Sequence, residues 1–122
     1  MFEHKLNLNK NAILCVMKGQ FDEEEARQYN IKFKQGVDQL DPGMTVITDL
    51  REFVPADESV RLVFAEGTEY ALAKGIGRSV RIVNESVTSE VANIQLNKTA
   101  RTLGYEVEIA RSFDEAKKIL GW

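Results

Sequence analysis

The chain has 122 residues, the length of one compact domain with a single hydrophobic core. Hydrophobic residues make up 43% and charged residues 29% of the sequence, a globular balance that excludes a disordered tail. The net charge of -3 gives no general attraction for nucleic acid or for an anionic membrane surface. We therefore expect no nucleic-acid partner.

Cysteine usage and the lengths of the apolar runs indicate the compartment. The single cysteine, Cys15, cannot form an internal disulfide, so nothing indicates a secreted disulfide scaffold. The first ten residues, "MFEHKLNLNK", lack the apolar core of a signal peptide. No run approaches the roughly 20 apolar residues of a membrane-spanning helix. We expect a soluble cytoplasmic protein without a membrane span.

The first third of the chain predicts a β-hairpin followed by a helix. Residues 2–8 alternate with apolar side chains on one face, and residues 12–19, after a polar turn, are apolar on both faces. The second strand should therefore lie inside the sheet. Asp22 and Glu25 then have the spacing of an N-terminal capping pair. The apolar stripe of the predicted helix consists of Ala26, Tyr29, Phe33, Val37 and Leu40.

The rest of the chain alternates between strands and helices. Residues 44–50, 78–83 and 105–110 predict three further strands, with helices between them and after the last. Gly67 inside the second helix costs about 1 kcal/mol relative to alanine, which predicts a close contact there. Three strand–helix–strand crossovers after a hairpin predict a single α/β domain over 1–122. Its mixed, mostly parallel sheet should have about five strands, with about four helices.

Residue types suited to catalysis or metal binding are sparse. The one histidine, His4, lies on the apolar face of the first strand, and Cys15 lies inside the second, without metal-ligand spacing between them. We interpret both as structural, since Cys15 has no neighbouring basic residue to activate its thiol. A G-x-S-x-G elbow and a phosphate-binding loop are absent from the sequence, and residues 75–77 are typical of a helix stop. We expect a protein that is not an enzyme and has no metal or cofactor.

Polar residues follow the predicted parallel strands at their carboxyl ends, where ligands and partners of open sheets bind. Asp49 and Arg51 lie at one strand end, and Asn84, Ser86 and Arg111 follow the next two strands. We therefore expect these five residues to lie together along the carboxyl edge of the sheet, called the rim below. The alternative is that such residues only cap the following helices, since Ser, Thr and Asp are favoured N-caps. The candidate caps are Asp57, Ser86 or Thr88, and Ser112.

The order of elements, together with "VITDL", "RSVRIV" and the closing "SFDEAKKIL", resembles the STAS-like family, the fold of bacterial anti-sigma-factor antagonists. It is similar to single-domain bacterial members in which a strand ending in T-D-L-R precedes an F-x-P loop. In the antagonists, the following loop and helix start carry a D-S-[ST]-G-like motif that a partner kinase phosphorylates. The matching stretch here is "PADESVRL", so the resemblance implies Asp57 as the motif aspartate and Ser59 as the hydroxyl. The alternative role of Ser59 is that of a surface residue in a first helical turn.

Two functions from different classes follow. The first is a non-catalytic regulatory or protein-interaction module whose partner is a kinase or a sigma-factor regulator. Its expected partner-binding or regulatory residues are Asp49, Arg51, Asp57, Glu58 and Ser59. The alternative is a carrier of a small molecule, a lipid or a nucleotide. The candidate pocket residues are then Val54, Val63, Tyr70 and Ile76.

Self-association into a homodimer is a further hypothesis. Phe53 and Val54 in the predicted loop, and Trp122 at the end of the sequence, are apolar side chains that we expect at the surface. Exposed apolar patches often mark contacts between proteins. The alternative for Trp122 is packing against its own helix.

Overall fold

A computed structural model describes the backbone of residues 1–122 and every side chain except that of residue 87. It contains five strands, four α-helices and a short 3-10 turn at Leu8–Lys10. In chain order the elements are β1 (Phe2–Asn7), β2 (Ala12–Gly19), α1 (Glu23–Val37), β3 (Met44–Phe53), α2 (Glu58–Lys74), β4 (Ile76–Ile82), α3 (Val87–Leu103), β5 (Glu108–Ala110) and α4 (Phe113–Leu120).

The strands form one mixed sheet in the order β1-β2-β3-β4-β5. β1 pairs antiparallel with β2, and each later strand pairs parallel with its predecessor. The predicted single α/β architecture with an N-terminal hairpin is therefore confirmed. β2 is bonded on both sides, as expected for a strand whose two faces are apolar.

The helices cover the two faces of the sheet unequally. α1, α2 and α3 pack on one face, where Val46 of β3 joins the larger apolar cluster. α4 packs on the other face, where the neighbouring residue Ile47 joins a smaller cluster. Successive side chains of a strand point to opposite faces, so β3 contributes to both clusters. All five residues of the stripe predicted for the first helix are buried.

The helix N-termini have side-chain caps, with one exception. Asp22 accepts a hydrogen bond from the backbone N–H of Glu25 at 2.8 Å, and Ser86 and Ser112 cap α3 and α4 in the same way. Asp57 occupies the N-cap position of α2, but its side chain accepts no hydrogen bond from the described part of that helix. The prediction that its carboxylate caps α2 is therefore wrong. The side chain is exposed, so water can solvate it instead.

β3 and β5 differ most in length from the prediction, whereas β1 and β4 differ by one or two residues at their ends. β3 continues to Phe53, three residues beyond the predicted end, because Lys18 and Gly19 of β2 still pair with Glu52 and Phe53. Phe53 is only 1% exposed, so its predicted exposure in a loop is wrong. β5 covers only residues 108–110, the length over which it pairs with β4.

The close contact predicted at Gly67 is made with α1. A Cβ atom at Gly67 would lie 2.6 Å from Oδ1 of Asn30. Asn30 is itself 5% exposed, and its Nδ2 donates to the carbonyl oxygen of Val63. Glycine at this position therefore allows α1 and α2 to approach each other closely.

Replacing Gly67 with alanine should lower the free energy of unfolding by about 1–3 kcal/mol, because overpacking outweighs the higher helix propensity of alanine. Urea denaturation of the wild type and the variant measures this difference. In an Asn30→Ala background the further loss should be smaller, since the clashing amide is gone. A more stable Gly67→Ala protein would contradict the contact.

His4 packs against α1 from β1. Its Nε2 lies 3.3 Å from the carbonyl oxygen of Tyr29, and the two ring centroids are 4.5 Å apart. Burial lowers the pKa of His4 below its ordinary value, and the hydrogen bond to Tyr29 opposes this effect in part. His4 is thus a neutral, packed side chain at pH 7, in agreement with a structural role.

Acid should destabilise the fold through His4. The unfolded chain binds the imidazole proton with a pKa near 6.5, higher than in the folded chain, so the free energy of unfolding falls as the pH decreases below that value. A His4→Phe variant keeps an aromatic ring and has no proton to bind there. Its stability should change less than that of the wild type between about pH 7 and pH 5, as measured by thermal unfolding. Equal pH dependence of the two proteins would exclude His4 as the responsible group.

Candidate functional site

An ion pair between Asp49 and Arg51 organises the carboxyl end of β3. Nε and Nη2 of Arg51 donate to the two carboxylate oxygens of Asp49 at 3.0 and 2.8 Å, and the backbone N–H of Arg51 donates at 3.1 Å. The hydrogen bonds to Asp49 raise the pKa of Arg51, and desolvation opposes them. Asp49 is 7% exposed, whereas the side chain of Arg51 is 37% exposed. The pair therefore presents a guanidinium to solvent and keeps its carboxylate inside.

The rim continues from Arg51 through the ends of the next two strands. Nδ2 of Asn84 donates to the carbonyl oxygen of Arg51 at 3.1 Å, and Nη1 of Arg111 donates to the carbonyl oxygen of Asn84 at 3.4 Å. Oδ1 of Asn84 accepts from the backbone N–H of Ser86 at 2.9 Å. The guanidinium carbon of Arg51 lies 5.6 Å from the ring centroid of Phe113, on the α4 side of the sheet. The structure thus brings together the residues predicted to share this rim.

Asp57, Glu58 and Ser59 lie apart from this ion pair. They begin α2, on the opposite face of the sheet from α4, and all three are exposed. Glu58 pairs with Arg61 one turn later at 3.1 Å. Among the described side chains, no hydrogen bond or ion pair joins this group to Asp49. The five predicted site residues therefore form two groups at the same end of the sheet.

The loop of residues 54–57 is held from both sides. The backbone N–H of Ala56 donates to Oε1 of Gln95, and Nε2 of Gln95 donates back to the carbonyl oxygen of Ala56, both at 3.0 Å. The backbone N–H of Val54 donates to the carbonyl oxygen of Gly19 at 3.1 Å. Sequence analysis missed Gln95, because a contact across 39 positions leaves no local signal. This Gln95 clamp holds the acidic start of α2 in a defined position.

Arg81 is a buried charge that the sequence analysis also missed. It is 4% exposed and donates to the side chains of Asn97 at 2.6 Å and Asn93 at 3.3 Å, and to the carbonyl oxygen of Leu96 at 3.1 Å. Burial lowers its pKa, and Tyr105 opposes this effect in part. An arginine between Val80 and Ile82 in the predicted strand was the available sequence signal. Its hydrogen bonds fasten α3 to β4.

The single cysteine lies in the core, as the sequence analysis expects. Cys15 is fully buried, and burial raises the pKa of its thiol to about 12, although a hydrogen bond with Tyr29 acts in the opposite direction. The thiol therefore stays protonated at neutral pH. Within the part of the chain that the structure describes, no three His, Cys, Asp or Glu side chains gather as a metal site.

The residues predicted to line a ligand pocket are not brought together. A cavity of about 60 Å³ lies between the sheet and its three covering helices, and Ile76 lines it. Val54, Val63 and Tyr70 are not among its described lining residues. Tyr70 is instead 38% exposed, with its hydroxyl bonded to Asp38. Ligand pockets usually have about 300–1,000 Å³, so this cavity has the size for ordered water. A second cavity, of about 300 Å³ between the sheet and α4, is lined by none of the four predicted residues.

The apolar residues predicted to mediate self-association are also separated. Phe53 is in the core, Val54 is half-buried in the clamped loop, and Trp122 is 37% exposed at the end of α4. The ammonium of Lys10 lies 5.7 Å from the Trp122 ring centroid. The homodimer itself stays a prediction, but these three side chains do not form one patch.

The order of elements, the mixed sheet with one antiparallel edge strand and the three helices on one face define the STAS-like fold. Among solved structures, the chain matches one described as the anti-sigma factor antagonist SpoIIAA in its unphosphorylated form. The TM-score is 0.65 and the sequence identity 16%, with 100% of this chain and 98% of that chain covered. The predicted STAS-like fold is therefore confirmed. No protein-family model and no curated protein sequence matches the chain.

The described helices include none that is both long and apolar enough to cross a membrane.

Replacing Asp49 with asparagine should lower the free energy of unfolding by about 1–2 kcal/mol, because the ionic hydrogen bonds to Arg51 are lost in a mostly buried place. Urea denaturation at low salt measures the change in the free energy of unfolding. The control is Glu52→Gln, which removes an exposed carboxylate three positions later, paired at 3.4 Å with exposed Lys18. This control should stay within about 0.5 kcal/mol of the wild type. Equal losses of stability in the two variants would show that the Asp49–Arg51 ion pair stabilises the fold no more than an exposed ion pair does.

Proposed function

We propose that this chain is a non-catalytic regulatory module that acts by binding a protein partner in the bacterial cytoplasm. The observation that carries the proposal is the match over the whole chain to an anti-sigma factor antagonist. By its description, that protein opposes another regulatory protein. A kinase or a sigma-factor regulator is therefore the kind of partner we propose here.

The proposed contact surface is the start of α2 with the loop before it. Asp57 and Glu58 place two neighbouring carboxylates on an exposed helix end, which suits a partner with basic side chains. Leu62, one turn further along, is 54% exposed and adds an apolar contact. The Gln95 clamp holds the loop before binding, so less conformational entropy is lost when a partner docks.

Asp49 and Arg51 have a separate place in the proposal. The nearly buried Asp49 holds the guanidinium of Arg51 in position, and the exposed part of Arg51 faces the α4 side of the sheet. A partner that reaches around the carboxyl end of the sheet would meet this cation as well as the acidic start of α2. Arg51 is thus a second contact, and Asp49 is its positioning residue.

Ser59 belongs to the contact surface. Its exposed side chain lies in the first turn of α2, where a phosphate would face the positive end of the helix dipole. The carboxylates of Asp57 and Glu58 would oppose the added negative charge. The proposal therefore uses Ser59 as a contact residue and does not depend on its phosphorylation.

The proposal is tested by recovering partners on immobilised protein with quantitative mass spectrometry. The test variant carries Asp57→Lys and Glu58→Lys. Its control carries Asp41→Lys and Glu106→Lys, the same charge change at two exposed positions near the opposite ends of the strands. Partners recovered by the wild type and the control should fall about tenfold or more with the test variant.

Two outcomes would count against the proposal. Equal recovery with the test variant and the wild type would remove the start of α2 as the contact surface. If the wild type recovers no protein above the level of bare beads, the interaction function itself fails.

A further inference from the structure

β1 is an edge strand whose outer side is unpaired. Among the described strands it pairs only with β2. The Met1 ammonium donates to the carbonyl oxygen of Lys18 at 3.0 Å, and the backbone N–H of Lys18 donates to the carbonyl oxygen of Met1 at 2.8 Å. Hydrogen-bonded pairs alternate along an antiparallel ladder, so the even-numbered residues of β1 direct their N–H and C=O groups away from β2. These residues are Phe2, His4 and Leu6.

The edge has few of the features that usually prevent pairing with another strand. β1 contains no proline, and its register with β2 is regular over six residues. Its charged, exposed side chains are Glu3 and Lys5, which have opposite signs and lie on the same face. They approach each other to 3.6 Å within the chain, with both side chains more than half exposed. A contact of this kind is weak and exchanges readily for another.

The sequence of β1 is complementary to itself about His4. When two copies pair antiparallel with His4 opposite His4, Glu3 of each copy lies opposite Lys5 of the other. Opposite charges directly across a strand pair are stabilising, and like charges are destabilising. Phe2 and Leu6 then face each other, and all three outward-directed residues meet their counterparts in the second copy.

Neighbouring registers lack this complementarity. Moving one copy by two residues sets Glu3 against Glu3 in one direction and Lys5 against Lys5 in the other. Moving it by one residue sets outward-directed backbone groups against groups already bonded to β2. One register therefore satisfies both the backbone hydrogen bonds and the charges.

We propose that β1 is an interface for a second copy of this chain. Two β1 strands pair antiparallel around a two-fold axis at His4 and join the two sheets into one continuous sheet. The contact is isologous, so each copy supplies the same surface.

The two faces of the joined strands contribute differently. On the helix face, Phe2, His4 and Leu6 are half-buried against the core, so pairing covers apolar surface that is now partly exposed. On the other face, Glu3 and Lys5 occupy pairs without backbone hydrogen bonds, where opposing side chains come closest. A single edge strand buries a small area, so the dimer is weak and its population depends on protein concentration.

Sedimentation velocity from micromolar to millimolar concentration tests the dimer and its register. In the Glu3→Lys and Lys5→Glu variants, like charges face each other in both charge pairs, so each dissociation constant should rise about 10- to 100-fold. Mixed in equal amounts, the two variants regain opposite charges and should form a heterodimer about as tight as the wild-type dimer. The control Glu106→Lys makes the same charge change beyond the opposite edge of the sheet and should leave the dimer unchanged.

Hydrogen exchange locates the interface. The amides of Phe2, His4 and Leu6 should become protected as the protein concentration rises. A wild type that stays monomeric at millimolar concentration overturns the proposal, and so does a variant mixture that fails to form heterodimers. A dimer whose protection lies elsewhere also overturns it. None of these outcomes involves the start of α2, so the proposed partner function is judged separately.

Discussion

The structure depends on the central strand β3, which must bury side chains on both of its faces. Val46 and Ile47 are neighbours in sequence, yet they belong to different apolar clusters. The three crossover helices α1, α2 and α3 cover one face of β3, and α4, which follows the last strand, covers the other. The predicted site residues are likewise divided between the two faces of the sheet. Arg51, which is paired with Asp49, lies against Phe113 of α4, and the chain then crosses to the other face, where α2 begins.

Local patterns predicted the parts of the fold that depend on local physics. The bounds of β2 follow from an apolar run between a polar turn and Gly19, with Lys18 as its one charged residue, and the structure gives the same residues, Ala12–Gly19. The stripe of α1 follows from helical spacing, because side chains three and four apart share a face. Ser112 lies where a hydroxyl can accept from the first turn of α4, and it does so at 3.1 Å. In each case the deciding interaction lies within a few residues.

The predictions were wrong where contacts between residues far apart in the sequence determine the structure. Residues 51–53 look like the beginning of a loop, but pairing with the end of β2 keeps them in the sheet and buries Phe53. Asp49, Arg51, Asp57, Glu58 and Ser59 were predicted as one set of partner-binding or regulatory residues. Sequence alone does not say on which face each side chain lies, and so it did not separate Asp49 from Asp57. The bonds of Gln95 and Arg81 join elements far apart in the chain and leave no periodic signal.

Three consecutive residues of α3 connect the proposed contact surface to the sheet. Gln95 holds the loop before α2, while the carbonyl oxygen of Leu96 and the side chain of Asn97 accept from Arg81 of β4. The position of that loop is therefore thermodynamically linked to the docking of α3 on the sheet. A partner that binds only the ordered loop must also favour the state in which α3 is docked on the sheet. By reciprocity, a change that undocks α3 must lower the affinity for that partner. A substitution in α3 that removes the Gln95 clamp should therefore weaken a partner's binding at the start of α2, even where α3 does not touch that partner.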